Sequence, residues 1–186
     1  MAKFLPGKRI RLRQIQIKDA LPIITLLGDN PGIASNLVFF SDGAPSLERE
    51  AAWIEAVTKR PYREFVFVAE TLEKDVLIGT VGIHDIDDIN RNARVGIMII
   101  NKDFTGKGYA QEMLEILHKW VFEYLKLNKV YMNFRVDNAR MRHVTEKFGY
   151  CEVGVLKNEY FWKGQWLDFV RYELTADRWR EFKNAP

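Results

Sequence analysis

Two glycines separated by a lysine, Gly106-Lys107-Gly108, form the segment of this chain that most directly suggests chemistry. An apolar stretch precedes the segment and an amphipathic stretch follows it, so it is predicted to connect a strand to a helix. The first backbone amides of a helix have no partner within the helix and lie at the positive end of its dipole. Glycines let an anion approach these amides closely, and Lys107 adds a positive charge. The segment therefore predicts a site for a phosphate or pyrophosphate group.

This turn differs from two common phosphate-binding loops. It lacks the third glycine of the dinucleotide fingerprint, and it lacks the Gly-Lys-Ser/Thr ending of the longer phosphate loop. Two glycines would also suit a turn that only joins a strand to a helix and binds nothing. On the glycine pair alone, that alternative stays open.

The elements around the turn follow from the periodicity of apolar residues and from capping residues. Strands are predicted over 8–16, 64–70, 76–85, 92–100, 129–136 and 150–156, with a closing hairpin over 160–162 and 165–174. Helices are predicted over 19–27, 47–59, 109–125, 138–148 and 175–182. This order indicates one α/β domain over residues 1–186, with a mixed sheet and helices on both of its faces.

The amino-acid composition limits the kinds of protein that this chain could be. The chain has 186 residues, of which 47% are apolar and 28% charged, and this balance suits one soluble domain with a sizeable core. The net charge of +3 is spread along the chain, which argues against nucleic acid as a partner. No apolar stretch approaches the roughly 20 residues of a membrane span, so we expect a cytoplasmic protein that does not contact membranes. Cys151 is the only cysteine, which fits a reducing compartment, and it is interpreted as a small core residue.

Three segments resemble motifs of the GNAT N-acetyltransferases. Residues 103–110 resemble the acetyl-CoA loop of that family, Gln/Arg-x-x-Gly-x-Gly/Ala, although Asp103 replaces the usual basic or amide residue. Residues 138–150 are similar to the family's Asn-x-x-Ser-x-x-Leu-Tyr-Glu-Lys-x-Gly-Phe segment. Residues 163–168 are similar to the Gly-x-Trp/Tyr-x-Asp hairpin of the RimJ/RimL and spermidine acetyltransferase branch. Because the order of elements also matches, the chain is identified as a member of this family by resemblance.

The resemblance implies a GNAT fold and an acetyl-CoA site. In such a fold two parallel strands, here those that end near Ile100 and Val136, splay apart at a bulge within a mostly antiparallel sheet. The pantothenate arm of CoA is expected to lie in the gap and pair with strand amides. The implied cofactor-binding residues are Met98, Ile99, Ile100, Thr105, Gly106, Lys107, Gly108, Tyr109, Ala110, Asn138, Met141 and Lys147. Asn138 could instead cap a helix and Lys147 could belong to a solvated helix face, and both alternatives stay open.

The usual catalytic side chains of the family are missing from their expected positions. Met141 stands where relatives often have a serine, Thr145 where they have a tyrosine acid, and Arg94 where they have a glutamate. Acetyl transfer needs a base for the amine and a proton for the leaving thiolate. The remaining base candidates are His84 and Asp85, followed by Glu70 and Tyr160, and Thr145 could orient a water.

Aromatic residues suggest where an acceptor could bind. Phe39, Phe40 and Tyr160 are candidate substrate-binding residues, and Trp53, Phe161 and Trp162 could line the same aromatic groove. All of these side chains could equally belong to the core. His118 and His143 lie on predicted helices and are interpreted as structural. The three histidines of the chain show no metal-ligand spacing, so no metal site is predicted.

Together these features predict an acetyl-CoA-dependent N-acetyltransferase. It would transfer the acetyl group directly, in a ternary complex, to a primary amine such as a protein N-terminus, a polyamine or another small amine. Two alternatives stay open: a CoA-binding sensor or interaction module with little turnover, and an α/β domain whose glycine turn binds nothing. The expected partner is the amine substrate, and the prediction is compatible with a homodimer.

Overall fold

The computed structural model describes residues 4–30, 33, 44–59 and 63–184. Within these residues one sheet forms, with the strand order β1-β2-β3-β4-β5-β6-β8-β7. Its strands are β1 (Leu5–Pro6), β2 (Ile10–Gln14), β3 (Phe65–Thr71), β4 (Leu77–Asp87), β5 (Asn92–Ile99), β6 (Lys129–Arg135), β7 (Cys151–Trp162) and β8 (Gln165–Thr175). Neighbouring strands are antiparallel except for β5 and β6, which are parallel. The predicted α/β class with a mostly antiparallel sheet is therefore confirmed.

The helices begin close to the residues that the sequence predicted. They are α1 (Ala20–Gly28), α2 (Leu47–Thr58), α3 (Tyr109–Lys119), α4 (Ala139–Lys147) and α5 (Ala176–Asn184). The Ser46 hydroxyl caps α2 by accepting a hydrogen bond from the Arg49 amide at 3.2 Å. The last turn before Leu125 is π-helical, because the Leu125 amide donates to the Trp120 carbonyl, five residues earlier. Among the described residues, no helix combines the length and apolar character needed to cross a bilayer.

Helices cover both faces of the sheet, as β3 shows. Val66 and Val68 point to one face, where they pack in a cluster with apolar residues of α1 and α2. Phe67 and Ala69 point to the opposite face and belong to the larger core, to which α3 contributes Met113, Leu114 and Leu117. The alternation follows from the two-residue period of a strand, and it fixes which helices can meet which part of the sheet.

His118 lies inside the larger core, with 0% of its surface exposed. A carbonyl can only accept, so the ring Nδ1–H donates to the Leu114 carbonyl and leaves Nε2 to accept from the Tyr150 hydroxyl. Both ring nitrogens are thus satisfied in the neutral form. Burial lowers the pKa of His118 from 6.5 to about 4. The structural interpretation of this histidine is confirmed.

The parallel pair β5 and β6 separates after three residues. The strands pair from Asn92 with Lys129 to Arg94 with Tyr131, while β5 continues alongside β4 as far as Ile99. The predicted splay is therefore confirmed. The nearby bulge lies elsewhere than predicted, because the register shift occurs in β4 between His84 and Asp87.

The C-terminal hairpin is more continuous than the sequence suggests. The two predicted strand segments over 150–156 and 160–162 form one strand, β7, with a register shift between Leu156 and Tyr160. Asn158 adopts a φ of +54° within the shift, and its amide donates to Asp168 of β8 at 2.9 Å. The interpretation of Cys151 as a core residue is wrong, because its side chain is exposed at the start of the same strand.

Candidate active site

A cavity of about 870 Å³ follows the line along which β5 and β6 separate. On one face of the sheet, the turn before α3 and the residues of α3 and α4 line it; we call this the α3 side. On the other face it reaches α1 and α2, which we call the α2 side. Since these helices cover opposite faces, the cavity passes through the sheet at the splay.

The glycine turn lines the α3 side of the cavity. Gly106 and Gly108 have φ values of +74° and +80°, a left-handed conformation that glycine adopts without strain. A Cβ atom at Gly106 would meet no other atom within 4 Å, so the surface there is open. Thr105, Tyr109 and Ala110 line the cavity beside the two glycines. The turn thus presents the first amides of α3 to the cavity, as an anion site requires.

Arg9 and Glu112 hold the glycine turn in place. Buried Glu112 accepts hydrogen bonds from the amides of Lys8 and Arg9, at 2.9 and 2.7 Å, and from Arg9 Nε at 2.7 Å. The pKa of the Glu112 carboxyl group is lowered overall. Burial acts to raise this pKa, but the hydrogen bonds from Arg9 together outweigh the effect of burial. The Arg9 guanidinium also donates to the Lys107 carbonyl at 3.1 Å and stacks 4.2 Å from the centre of the Tyr109 ring. The Lys107 side chain is exposed and is not among the residues that line the cavity, so its predicted contact with the cofactor is not supported.

Residues of β5 and α4 form the walls between the two sides. Met98 and Ile99 of β5 line the cavity where β6 no longer pairs with that strand. Asn138, Met141 and Lys147 line it from α4 and the residue before this helix. Asn138 Oδ1 also accepts a hydrogen bond from the Met141 amide at 3.1 Å, so the predicted capping role is confirmed. Its side-chain amide group can still face the cavity, because the cap uses only the oxygen.

His84 and Glu64 form a pair on the cavity wall. His84 Nδ1 lies 3.0 Å from Glu64 Oε2, and both residues line the cavity. A Cβ atom at Gly96 of β5 would lie 3.3 Å from His84 Nε2, so the ring rests against the glycine where the strands separate. Burial lowers the pKa of His84, although the bond to Glu64 opposes this shift. The histidine is therefore neutral near pH 7 and can accept a proton at Nε2.

Glu50 and Trp53 of α2 line the α2 side, and of these two residues only Trp53 was a candidate from the sequence. Glu50 is only 6% exposed, and burial raises the pKa of its carboxyl group. A signal for Glu50 exists in the sequence, because Glu50, Ile54 and Val57 follow one another at the i, i+4, i+7 spacing of a buried helix face. The α2 side therefore combines apolar walls with a buried carboxyl group.

A family model described as an acetyltransferase (GNAT) domain matches residues 9–150 of this chain. The chain belongs to the GNAT acetyltransferases. The Bacillus subtilis protein YdaF, provisionally named a ribosomal N-acetyltransferase, is 29% identical over 93% of this chain and 94% of its own. A spermidine N(1)-acetyltransferase of Vibrio cholerae is 33% identical over 61% of this chain and 64% of its own. A crystal structure of spermidine N-acetyltransferase from Vibrio cholerae, in complex with CoA and spermine, is 25% identical with a TM-score of 0.77, over 92% of this chain and 98% of that one.

Two of the catalytic candidates taken from the GNAT resemblance need correction. Thr145 is fully buried, and its hydroxyl lies 2.9 Å from the carbonyls of Met141 and Arg142, so it bonds within α4 and does not reach the cavity. Asp85 is not among the cavity residues either. Its carboxylate pairs with Arg94 at 2.8 Å and is 63% exposed, because the bulge in β4 turns it towards solvent.

Of the other residues assigned from the GNAT resemblance, two more do not line the cavity and two lie outside the described residues. Ile100 is fully buried and its amide donates to the Ile78 carbonyl at 3.0 Å, so this amide is not available to a cofactor. Tyr160 does not line the cavity; its ring packs 4.6 Å from Phe169, which does. Phe39 and Phe40 lie outside the described residues. Among the side chains that the structure describes, no cluster of three or more histidines, cysteines and acidic residues could hold a metal ion.

Proposed function

We propose that this GNAT enzyme transfers the acetyl group of acetyl-CoA directly to a primary amine, with both substrates held in the cavity through the sheet. The observation that carries the proposal is the continuity of the cavity from the open glycine turn to the His84–Glu64 pair. The names of the relatives agree with an amine acceptor, since they include spermidine and ribosomal N-acetyltransferases.

The α3 side fits the donor substrate. The amides that begin α3, between Gly108 and Ala110, would bind the pyrophosphate, and Arg9 would keep the turn in its open conformation. The unpaired edge of β5 at Met98 and Ile99 would bind the amide-rich arm of CoA as an added strand. When bound, the donor supplies a thioester with an electrophilic carbonyl group.

His84 is the base in the proposed reaction. Glu64 accepts a hydrogen bond from Nδ1–H, which fixes the tautomer in which Nε2 can take a proton from the acceptor ammonium or amine. The cavity also brings the acceptor and donor together, which contributes through proximity. Water would carry to the departing thiolate the proton that the amine nitrogen releases as the amide bond forms, since Met141 has no acidic proton and Thr145 lies outside the cavity.

The test is an assay of thiol release from acetyl-CoA with a panel of primary amines, combined with mass spectrometry of the products. We expect release of free CoA and an equal amount of acetylated amine for at least one member of the panel. Acetyl-CoA binding without turnover on any amine would favour a CoA-binding module. Absence of acetyl-CoA binding in isothermal titration calorimetry would contradict both readings of the site.

A further inference from the structure

Glu50 differs from the other buried carboxylates that the structure describes. Asp19 pairs with Arg13 at 2.7 Å, and Glu70 pairs with Arg11 and Arg13 at 2.7 and 2.8 Å. Buried Glu112 accepts hydrogen bonds from two main-chain amides and from Arg9, as described above. No hydrogen bond or ion pair joins the Glu50 side chain to any described residue, and burial alone accounts for its raised pKa.

The surroundings of Glu50 do not neutralise it. Five arginine and lysine side chains line the same cavity. Arg94 pairs with Asp85 at 2.8 Å, Arg135 pairs with Asp137, and Arg49 is exposed. Arg140 and Lys147 belong to α4 and line the α3 side. Apolar side chains of α1 and α2, among them Ile23, Leu27 and Trp53, line the α2 side together with Glu50. A buried carboxylate without a partner destabilises a folded protein, so its position at a cavity indicates that a ligand supplies the missing charge.

We propose that Glu50 binds a second cationic group of the acceptor, so that the acceptor is an aliphatic diamine or longer polyamine. This inference rests on the proposed function. One amino group of the acceptor would react beside His84, while a protonated amino group elsewhere on the same chain would pair with Glu50. The apolar walls of the α2 side would contact the methylene groups between them, and Glu64 would add a second negative charge to the same region.

The test compares two acceptors of equal carbon number, butylamine and putrescine, in wild type and Glu50→Gln. For the wild type we expect kcat/KM to favour putrescine at least about tenfold, since a charge-assisted hydrogen bond in a buried site contributes on that order. Glu50→Gln should lower kcat/KM for putrescine by about tenfold or more and change the value for butylamine less than about threefold. Acetyl-CoA affinity should stay the same, because Glu50 lies on the α2 side.

Glu55→Gln is the matched control, since Glu55 is a 52% exposed residue of the same helix that pairs with Lys59 at the surface. It should leave the preference for putrescine unchanged. Thermal unfolding separates a binding role from a structural one. Glu50→Gln should keep or raise the melting temperature, because it removes an uncompensated buried charge, whereas a lower melting temperature would show that Glu50 supports the fold.

The outcomes separate this inference from the proposed function. Turnover of both amines without a preference, or an equal loss on both amines in Glu50→Gln, would overturn the role of Glu50 and leave acetyl transfer intact. If no amine is acetylated, calorimetric titration of the CoA-bound protein with putrescine tests whether Glu50 is part of a cation site. Binding to the wild type that Glu50→Gln abolishes would support the cation site without the transferase reaction. Absence of putrescine binding to the wild type would overturn the assignment of Glu50 as a cation site.

Discussion

Replacement of Gly108 by glutamate tests the glycine turn most directly. A carboxylate there would stand beside the first amides of α3, where the pyrophosphate is proposed to bind. Two unit charges at about 5 Å with an effective dielectric constant of about 20 repel by about 3 kcal/mol, which corresponds to a loss of affinity of about a hundredfold or more. We therefore expect Gly108→Glu to raise the Kd for acetyl-CoA at least about a hundredfold, measured by isothermal titration calorimetry.

Gly164→Glu provides a matched control for this prediction. Gly108 and Gly164 have nearly the same backbone conformation, with φ values of +80° and +81°, so the strain of a side chain is similar at both positions. Gly164 lies in the turn between β7 and β8 and does not line the cavity. Urea unfolding should show similar stability for the two variants. A Kd for Gly108→Glu within about threefold of the control value would refute the assignment of the pyrophosphate to this turn.

Three further predictions concern the base, the support of the turn and the core. His84→Gln should lower kcat about a hundredfold at pH 7 without changing acetyl-CoA affinity, and equal kcat values would exclude His84 as the base. Arg9→Ala should raise the Kd for acetyl-CoA about fivefold by releasing the Lys107 carbonyl, whereas an unchanged Kd would remove Arg9 from the support of the turn. For His118, the unfolded chain binds a proton below pH 6.5 but the folded protein only below about pH 4, so stability is lost as the pH falls between these values. Urea unfolding should show that the free energy of unfolding of the wild type falls by about 3 kcal/mol over this pH range, and that His118→Gln lacks this loss. Equal pH dependence in both proteins would contradict the lowered pKa.

Local signals in the sequence were sufficient for most of the fold. Ser46 and Asn138 cap the helices that follow them, as their side-chain oxygens and positions suggested. The glycines at 106 and 108 occupy left-handed positions between a strand and a helix. Each of these features depends on a few neighbouring residues, which is why a single sequence reveals them.

Features set by distant contacts were harder to predict. Asn158 lies between two predicted strand segments, yet β7 continues through it because Asp168 of the neighbouring strand accepts a hydrogen bond from its amide. Cys151 lies in an apolar pattern, but it begins an edge strand and its side chain points to solvent. In both cases the position of a residue in the sheet, which a local pattern does not contain, decided the outcome.

For the site residues, the sequence predicted the position along the chain but not the direction of the side chain. Thr145 lies on α4 as predicted, and Ile100 directly follows β5, but their side chains point into the protein and not into the cavity. Glu50 was missed for the opposite reason. It reads as one of several charged residues at the start of α2. Its spacing from Ile54 and Val57 indicates a buried face, but the packing of that helix against the sheet is needed to place it beside the cavity.

The short pairing of β5 with β6 links catalysis to the lifetime of the protein. Three residue pairs join the two halves of the sheet at this point, so a donor molecule that binds both edges would strengthen their connection. By mass action, a ligand at about a hundred times its Kd adds about 2.7 kcal/mol to the free energy of unfolding. Resistance to proteolysis should therefore rise with the supply of acetyl-CoA, and a cell that is short of this metabolite would also clear the enzyme faster.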